Sequence, residues 1–90
     1  MAGAARRGGR SEGVAAGIND DGGRAIAVEC DVTDPESTER LMATTVEELG
    51  GVDVVVANAG VVAEGAAVTE KVPPALFDQT MAVNVAGTFN

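Results

Sequence analysis

The run Val52-Asp53-Val54-Val55-Val56-Ala57 limits the folds open to this chain more than any other segment. It is β-branched and almost continuously apolar, with Gly50-Gly51 before it and Asn58-Ala59-Gly60 after it. A strand buried on one face alternates polar and apolar residues. A strand covered on both faces of a parallel sheet reads instead as a nearly unbroken apolar run. The segment therefore predicts a parallel strand buried on both faces. Such a strand reaches its neighbour only through a long crossover, usually a helix.

The residues upstream predict that crossover. Asp34-Pro35-Glu36 is a helix start: Asp34 can cap free N–H groups, Pro35 suits the first helical position, and Glu36 favours the positive end of the dipole. Leu41, Met42, Thr45, Val46 and Leu49 then fall on one face, and Gly50-Gly51 ends the helix. Before it, Arg24–Glu29 has the apolar centre of a short strand, followed by a loop at Cys30-Asp31-Val32-Thr33. Pro73-Pro74 opens a last helix with Leu76, Phe77, Met81, Val83, Val85 and Phe89 as its apolar positions. Gly87 is a weak point in that helix unless another backbone packs closely on it. Ser11–Ile18 has weak helical spacing and Asp20–Gly23 a strong stop. Met1–Gly9, rich in Gly, Ala and Arg, predicts a loop or disorder.

The order strand, helix, strand, helix predicts an α/β fold: a βαβ unit with a parallel sheet and a right-handed crossover. Ninety residues hold at most one domain, and a complete doubly wound sheet needs more strands than these. The expected architecture is thus an incomplete Rossmann-type fragment, about two strands with flanking helices. Residues 1–21 are expected to be poorly ordered or a partial helix, and residues 22–90 to form the partial domain. The hydrophobic fraction is 46% but the aromatic fraction only 2%, so Ala and Val dominate the core. At roughly 25 cal/mol per Å² of apolar surface, such a core leaves a thin margin over chain entropy.

A formal net charge of −8 argues against a nucleic acid or an anionic membrane as partner. Arg6, Arg7 and Arg10 crowd the start, but without the amphipathic period of a targeting segment. No apolar run approaches the roughly 20 residues of a membrane helix. One cysteine, Cys30, excludes an internal disulfide, and without histidine no zinc site is expected. The expected compartment is a reducing cytoplasm.

In open α/β sheets ligands lie outside the carboxyl ends of the strands. Asp31-Val32 and Asn58-Ala59-Gly60 both fall there, on one rim. Taken singly each has a plainer reading. Asp31 could be a turn or cap residue, Asn58 and Gly60 an ordinary strand-ending turn, and Asn84 a tolerated polar residue in a helix. Cys30 reads as a small buried hydrophobe and Lys71 as a solvated charge.

Jointly, the motifs DVTDPE (31–36), DVVVANAG (53–60) and FDQTMAVNVAGTF (77–89) resemble the short-chain dehydrogenase/reductase family, over roughly Gly22 to Asn90. The resemblance implies a nicotinamide dinucleotide, NAD or NADP, as cofactor and a small alcohol or carbonyl compound as substrate. It implies that Asp31 accepts a hydrogen bond from the adenine amino group and that the Val32 backbone lies against adenine. It implies that Asn58 braces the sheet while the Ala59 and Gly60 backbones approach the adenine ribose. It further implies that the Asn84 backbone carbonyl holds a water of the proton relay, a supporting role in catalysis.

The chain departs from the family at both ends of the chemistry. The glycines at 3, 8, 9, 13 and 17 lack the spacing of the family's pyrophosphate turn, and no apolar strand is expected before them. The strand whose end distinguishes NAD from NADP is likewise not expected. The family's Ser and Tyr-x-x-x-Lys have no counterpart: the chain contains no Tyr, and its single Lys, Lys71, lies elsewhere. A phenol, with its ordinary pKa near 10, needs that lysine to act near neutral pH.

Three functional readings follow: a catalytically incomplete oxidoreductase, a non-catalytic module pairing with an intact relative or a second copy through the helix 74–90, or another nucleotide-type α/β domain such as a methyltransferase. The apolar run 52–57 also predicts an aggregation-prone edge.

Overall fold

The structure is a computed structural model and describes residues 1–5, 8–62 and 69–90. Strand β1 (Ala2–Ala5) leads to helix α1 (Gly8–Asp20), strand β2 (Ile26–Glu29) and helix α2 (Pro35–Leu49). A short 3-10 turn, Thr69–Lys71, precedes helix α3 (Pro74–Met81). A π-helical turn, Ala82–Ala86, and a final helical turn α4 (Gly87–Phe89) continue it. β1 and β2 pair in parallel, from Ala2 opposite Ile26 to Ala5 opposite Glu29. The architecture of two parallel strands with flanking helices is therefore as expected, but the strands are not both the expected ones.

The loop expected at Met1–Gly9 contains β1. Its sequence, AGAA, has little strand propensity of its own. It becomes a strand because β2 offers a backbone edge, and a β-ladder satisfies main-chain groups whatever the side chains. The converse holds at residues 52–57, where the expected strand is absent. Residues 54–62 belong to no helix or strand, and Val54, Val55 and Val56 are 81%, 61% and 82% exposed. β-Branched residues favour a strand only when neighbouring strands and packed faces are present. Among the described residues none pairs with this segment.

Helix α2 forms where its caps predict. The Asp34 carboxylate accepts from the Glu36 N–H at 3.1 Å, and Pro35 occupies the first turn. Gly50 closes the other end at φ 92°, a left-handed conformation, with its N–H on the Val46 carbonyl at 2.9 Å. The inward face differs from the expected one. Ser37 and Thr45 are buried and Leu41 and Leu49 half-buried, whereas Met42 and Val46 are exposed. Thr45 tolerates burial because its hydroxyl donates back to the Leu41 carbonyl at 2.7 Å.

Two side chains tie the helices to β2. Asn19, at the end of α1, takes the Ala25 N–H on Oδ1 at 2.8 Å and donates Nδ2 to the Ala25 carbonyl at 2.9 Å. Arg24 donates to the Glu48 carbonyl at the carboxyl end of α2, where a cation suits the helix dipole. Among the described residues the buried apolar ones are Ala15, Ala25 and Cys30, and no large side chain is fully buried. The radius of gyration is 15.5 Å, with extents of 50 × 24 × 18 Å. A compact domain of this length would measure about 12 Å.

Candidate functional site

The rim at the carboxyl end of β2 is a tight polar turn. Asp31 Oδ1 accepts from the Thr33 N–H at 3.0 Å and from the Thr33 hydroxyl at 2.7 Å. The Asp31 N–H donates to the Ser37 hydroxyl at 3.0 Å, which anchors the turn on the first turn of α2. These bonds hold the Asp31 side chain in one orientation. Cys30, just before it, is buried at 3% exposure, as a small apolar residue would be.

The second rim segment, Asn58-Ala59-Gly60, is exposed throughout. Asn58 makes no side-chain hydrogen bond among the described residues, so the bracing of a sheet implied for it is not formed within them. At Gly60 an added Cβ would meet, among the described residues, only Asn84 Oδ1, at 3.5 Å. The backbone there is open to the approach of a flat ligand, which glycine permits.

One helix brings the two segments together. Asn84, inside the π-helical turn, grips the main chain just after Gly60: its Oδ1 accepts from the Val61 N–H at 2.7 Å and its Nδ2 donates to the Val61 carbonyl at 2.9 Å. Its own carbonyl accepts a long bond, 3.4 Å, from the Thr88 hydroxyl. π-turns inside helices are frequent at functional sites because they re-aim backbone groups. Further along, Gly87 is buried and faces Val32, and Asn90 Nδ2 donates to the Val32 carbonyl at 2.9 Å.

The helical stretch that carries Asn84 thus contacts both segments, at Val61 next to Asn58-Ala59-Gly60 and at Val32 next to Asp31. Sequence reasoning missed Asn90, which carries no motif, and the use of the Asn84 side chain as a clamp. It marked Gly87 as the place for a close approach. The partner is the Val32 side chain rather than a backbone.

Chemically, the site offers backbone groups, a carboxylate and amides. These suit binding and orientation of a heterocycle and its ribose. Lys71 is exposed in the 3-10 turn. Among the described residues no group of three or more His, Cys, Asp or Glu could hold a metal ion, and no helix is long and apolar enough to cross a membrane.

The profile of a family described as "short chain dehydrogenase" matches residues 1–90. Versicolorin reductase 1 of Aspergillus parasiticus is 43% identical over 79 residues, which are 88% of this chain and 29% of that protein. A short-chain type dehydrogenase/reductase from Mycobacterium marinum superposes with a TM-score of 0.88 at 36% identity, over 98% of this chain and 35% of its own. A 3-ketoacyl-ACP reductase from Sinorhizobium meliloti 1021 gives 0.89 at 38% identity, over 98% and 34%. The chain thus spans about a third of the length of these proteins.

Proposed function

The chain belongs to the short-chain dehydrogenase/reductase family, and from that membership we propose that it forms the adenine-side portion of a nicotinamide-dinucleotide site. The reaction of the whole site is hydride transfer between NAD(P) and an alcohol or carbonyl compound. In its reduced form a bound dinucleotide would give a hydride to a carbonyl compound, and in its oxidised form it would take one from an alcohol. The residues of this chain bind and orient its adenosine end: Asp31 accepts from the adenine amino group, Val32 lies against the ring, and Ala59 and Gly60 lie along the ribose. The Asn84 carbonyl holds a water of the proton relay, and the sheet-bracing role of Asn58 belongs to the whole site, since no such bond forms among the described residues.

The observation that carries this reading is the bridging helix. Asn84 on Val61 and Asn90 on Val32 hold two separate rim segments in one arrangement. Arg6 and Arg7 follow β1 directly in the sequence, and an arginine after such a strand suits a 2′-phosphate. That favours NADP over NAD. The compartment we assign is a reducing cytoplasm, in keeping with the free thiol of Cys30.

With no Tyr and with Lys71 as its single Lys, the 90-residue chain by itself is expected to turn over no substrate. Incubation with NADPH or NADH and a panel of carbonyl compounds should give no rate above blank. Titration with adenosine 2′-phosphate, followed by nuclear magnetic resonance, should move amides of residues 31–33 and 58–61. Turnover above blank, or saturable shifts confined to other residues, would refute the proposal.

One observation favours a second reading, a non-catalytic module pairing with an intact relative or a second copy. Phe77, Met81, Val85 and Phe89 recur every four residues on the last helix and are 58%, 42%, 55% and 91% exposed. Co-purification with a full-length relative supports it, and a persistently monomeric chain in such a mixture rules it out.

A further inference from the structure

We infer that Gly87 and Asn90 are positioning residues for the adenine side, acting through Val32. The inference rests on the reading of Asp31-Val32 as the adenine rim. Val32 lies in the turn after β2, outside any strand or helix. Its carbonyl accepts from Asn90 Nδ2 at 2.9 Å, a contact that spans 58 residues of sequence. Its side chain packs into the space left by the missing side chain of Gly87. A Cβ added there would lie 2.7 Å from Val32 Cγ2 and 3.2 Å from Val32 Cβ. A β-branched side chain is stiff about χ1, so valine cannot swing clear of such a contact, and its backbone must move instead.

The two residues hold Val32 in different ways. Glycine at 87 sets how closely the helix approaches the turn. The amide of Asn90 fixes the direction of the Val32 carbonyl, and with it the peptide plane facing the ligand. The same helix grips Val61 through Asn84. Asn84 lies in the π-helical turn, and Asn90, six residues on, ends the final turn α4 with its N–H on the Ala86 carbonyl at 2.9 Å. One continuous helical stretch therefore carries the ties to both rim segments. A site so held is pre-organised, and loss of one tie appears as weaker binding rather than as unfolding.

The test is the affinity of the 90-residue chain for adenosine 2′-phosphate, read from amide shifts, beside its thermal unfolding. Asn90→Ala removes the amide at an exposed position and should weaken binding about tenfold, equivalent to about 1.4 kcal/mol, with an unchanged unfolding midpoint. Asn90→Gln keeps an amide donor and should recover most of the affinity. Gly87→Ala should also weaken binding and should shift the Val32 amide in the free protein. Saturable binding by the unmodified chain, with Asn90→Ala and Gly87→Ala binding equally well, overturns the positioning role and leaves the adenine rim standing. So does a loss that Asn90→Gln shares in full. Absence of saturable binding by the unmodified chain overturns both.

Discussion

Replacing Asn84 with alanine isolates the clamp on which the second rim segment depends. The substitution removes two hydrogen bonds to Val61, of 2.7 and 2.9 Å, and leaves the helix backbone intact, since alanine is the best helix former. A typical hydrogen bond contributes about 0.5–1.5 kcal/mol net. Both of these are exposed, so the pair is placed at the low end, about 1–2 kcal/mol in total. That is about a five- to thirtyfold increase in opening of the Val61 segment. The loss acts locally: residues 58–62 have no other tie of this strength among the described residues, whereas β2 keeps its pairing with β1. Amide hydrogen exchange reads the two separately. Protection at Val61 should fall about five- to thirtyfold in Asn84→Ala, by the same conversion, while Ala27 and Val28 are unchanged. Asn84→Asp, which keeps the acceptor but loses the donor, should fall between. Unchanged protection at Val61, or an equal loss in β2, would refute the clamp.

Three further outcomes follow from the local geometry. Asp34→Ala removes the carboxylate that accepts from the Glu36 N–H at 3.1 Å. It should cost about 1 kcal/mol, seen as a fall of roughly 4–8 °C in the unfolding midpoint. Gly50→Ala places a Cβ at φ 92°, and should cost about 1–2 kcal/mol in denaturant titration. Val54 and Val56, 81% and 82% exposed, should drive concentration-dependent self-association of the 90-residue chain. Lysine at both positions should abolish it in sedimentation, and equal association of the two proteins would refute that origin.

Helices α2 and α3 and strand β2 were legible in the residues because their signals are local, whereas α1 begins at Gly8, inside the stretch expected to be loop. Asp34, Pro35 and Gly50 act on backbone groups a few residues away, so α2 could be bounded without its surroundings. The position of Asp31 after β2 and of Asn84 in the last helix followed from motif and order. What the residues alone misplaced was the second strand. AGAA became β1 and VDVVVA did not become a strand, because strand formation depends on a partner edge supplied by distant residues and only secondarily on side-chain propensity. In a doubly wound sheet an interior parallel strand is flanked on both sides. The described residues of this chain, which spans 35% of the Mycobacterium marinum protein, give residues 52–57 no such flank. The exposure of Met42 and Val46 reflects the small extent of the sheet beneath α2. Sequence determined where α2 starts and stops, that a helix follows Pro73-Pro74, and which family the chain belongs to. Tertiary structure alone decided that Asn84 grips Val61, that Gly87 makes room for Val32 and that Asn90 holds its carbonyl. Those contacts join residues 23 to 58 positions apart, and no periodicity or cap encodes a contact at that range.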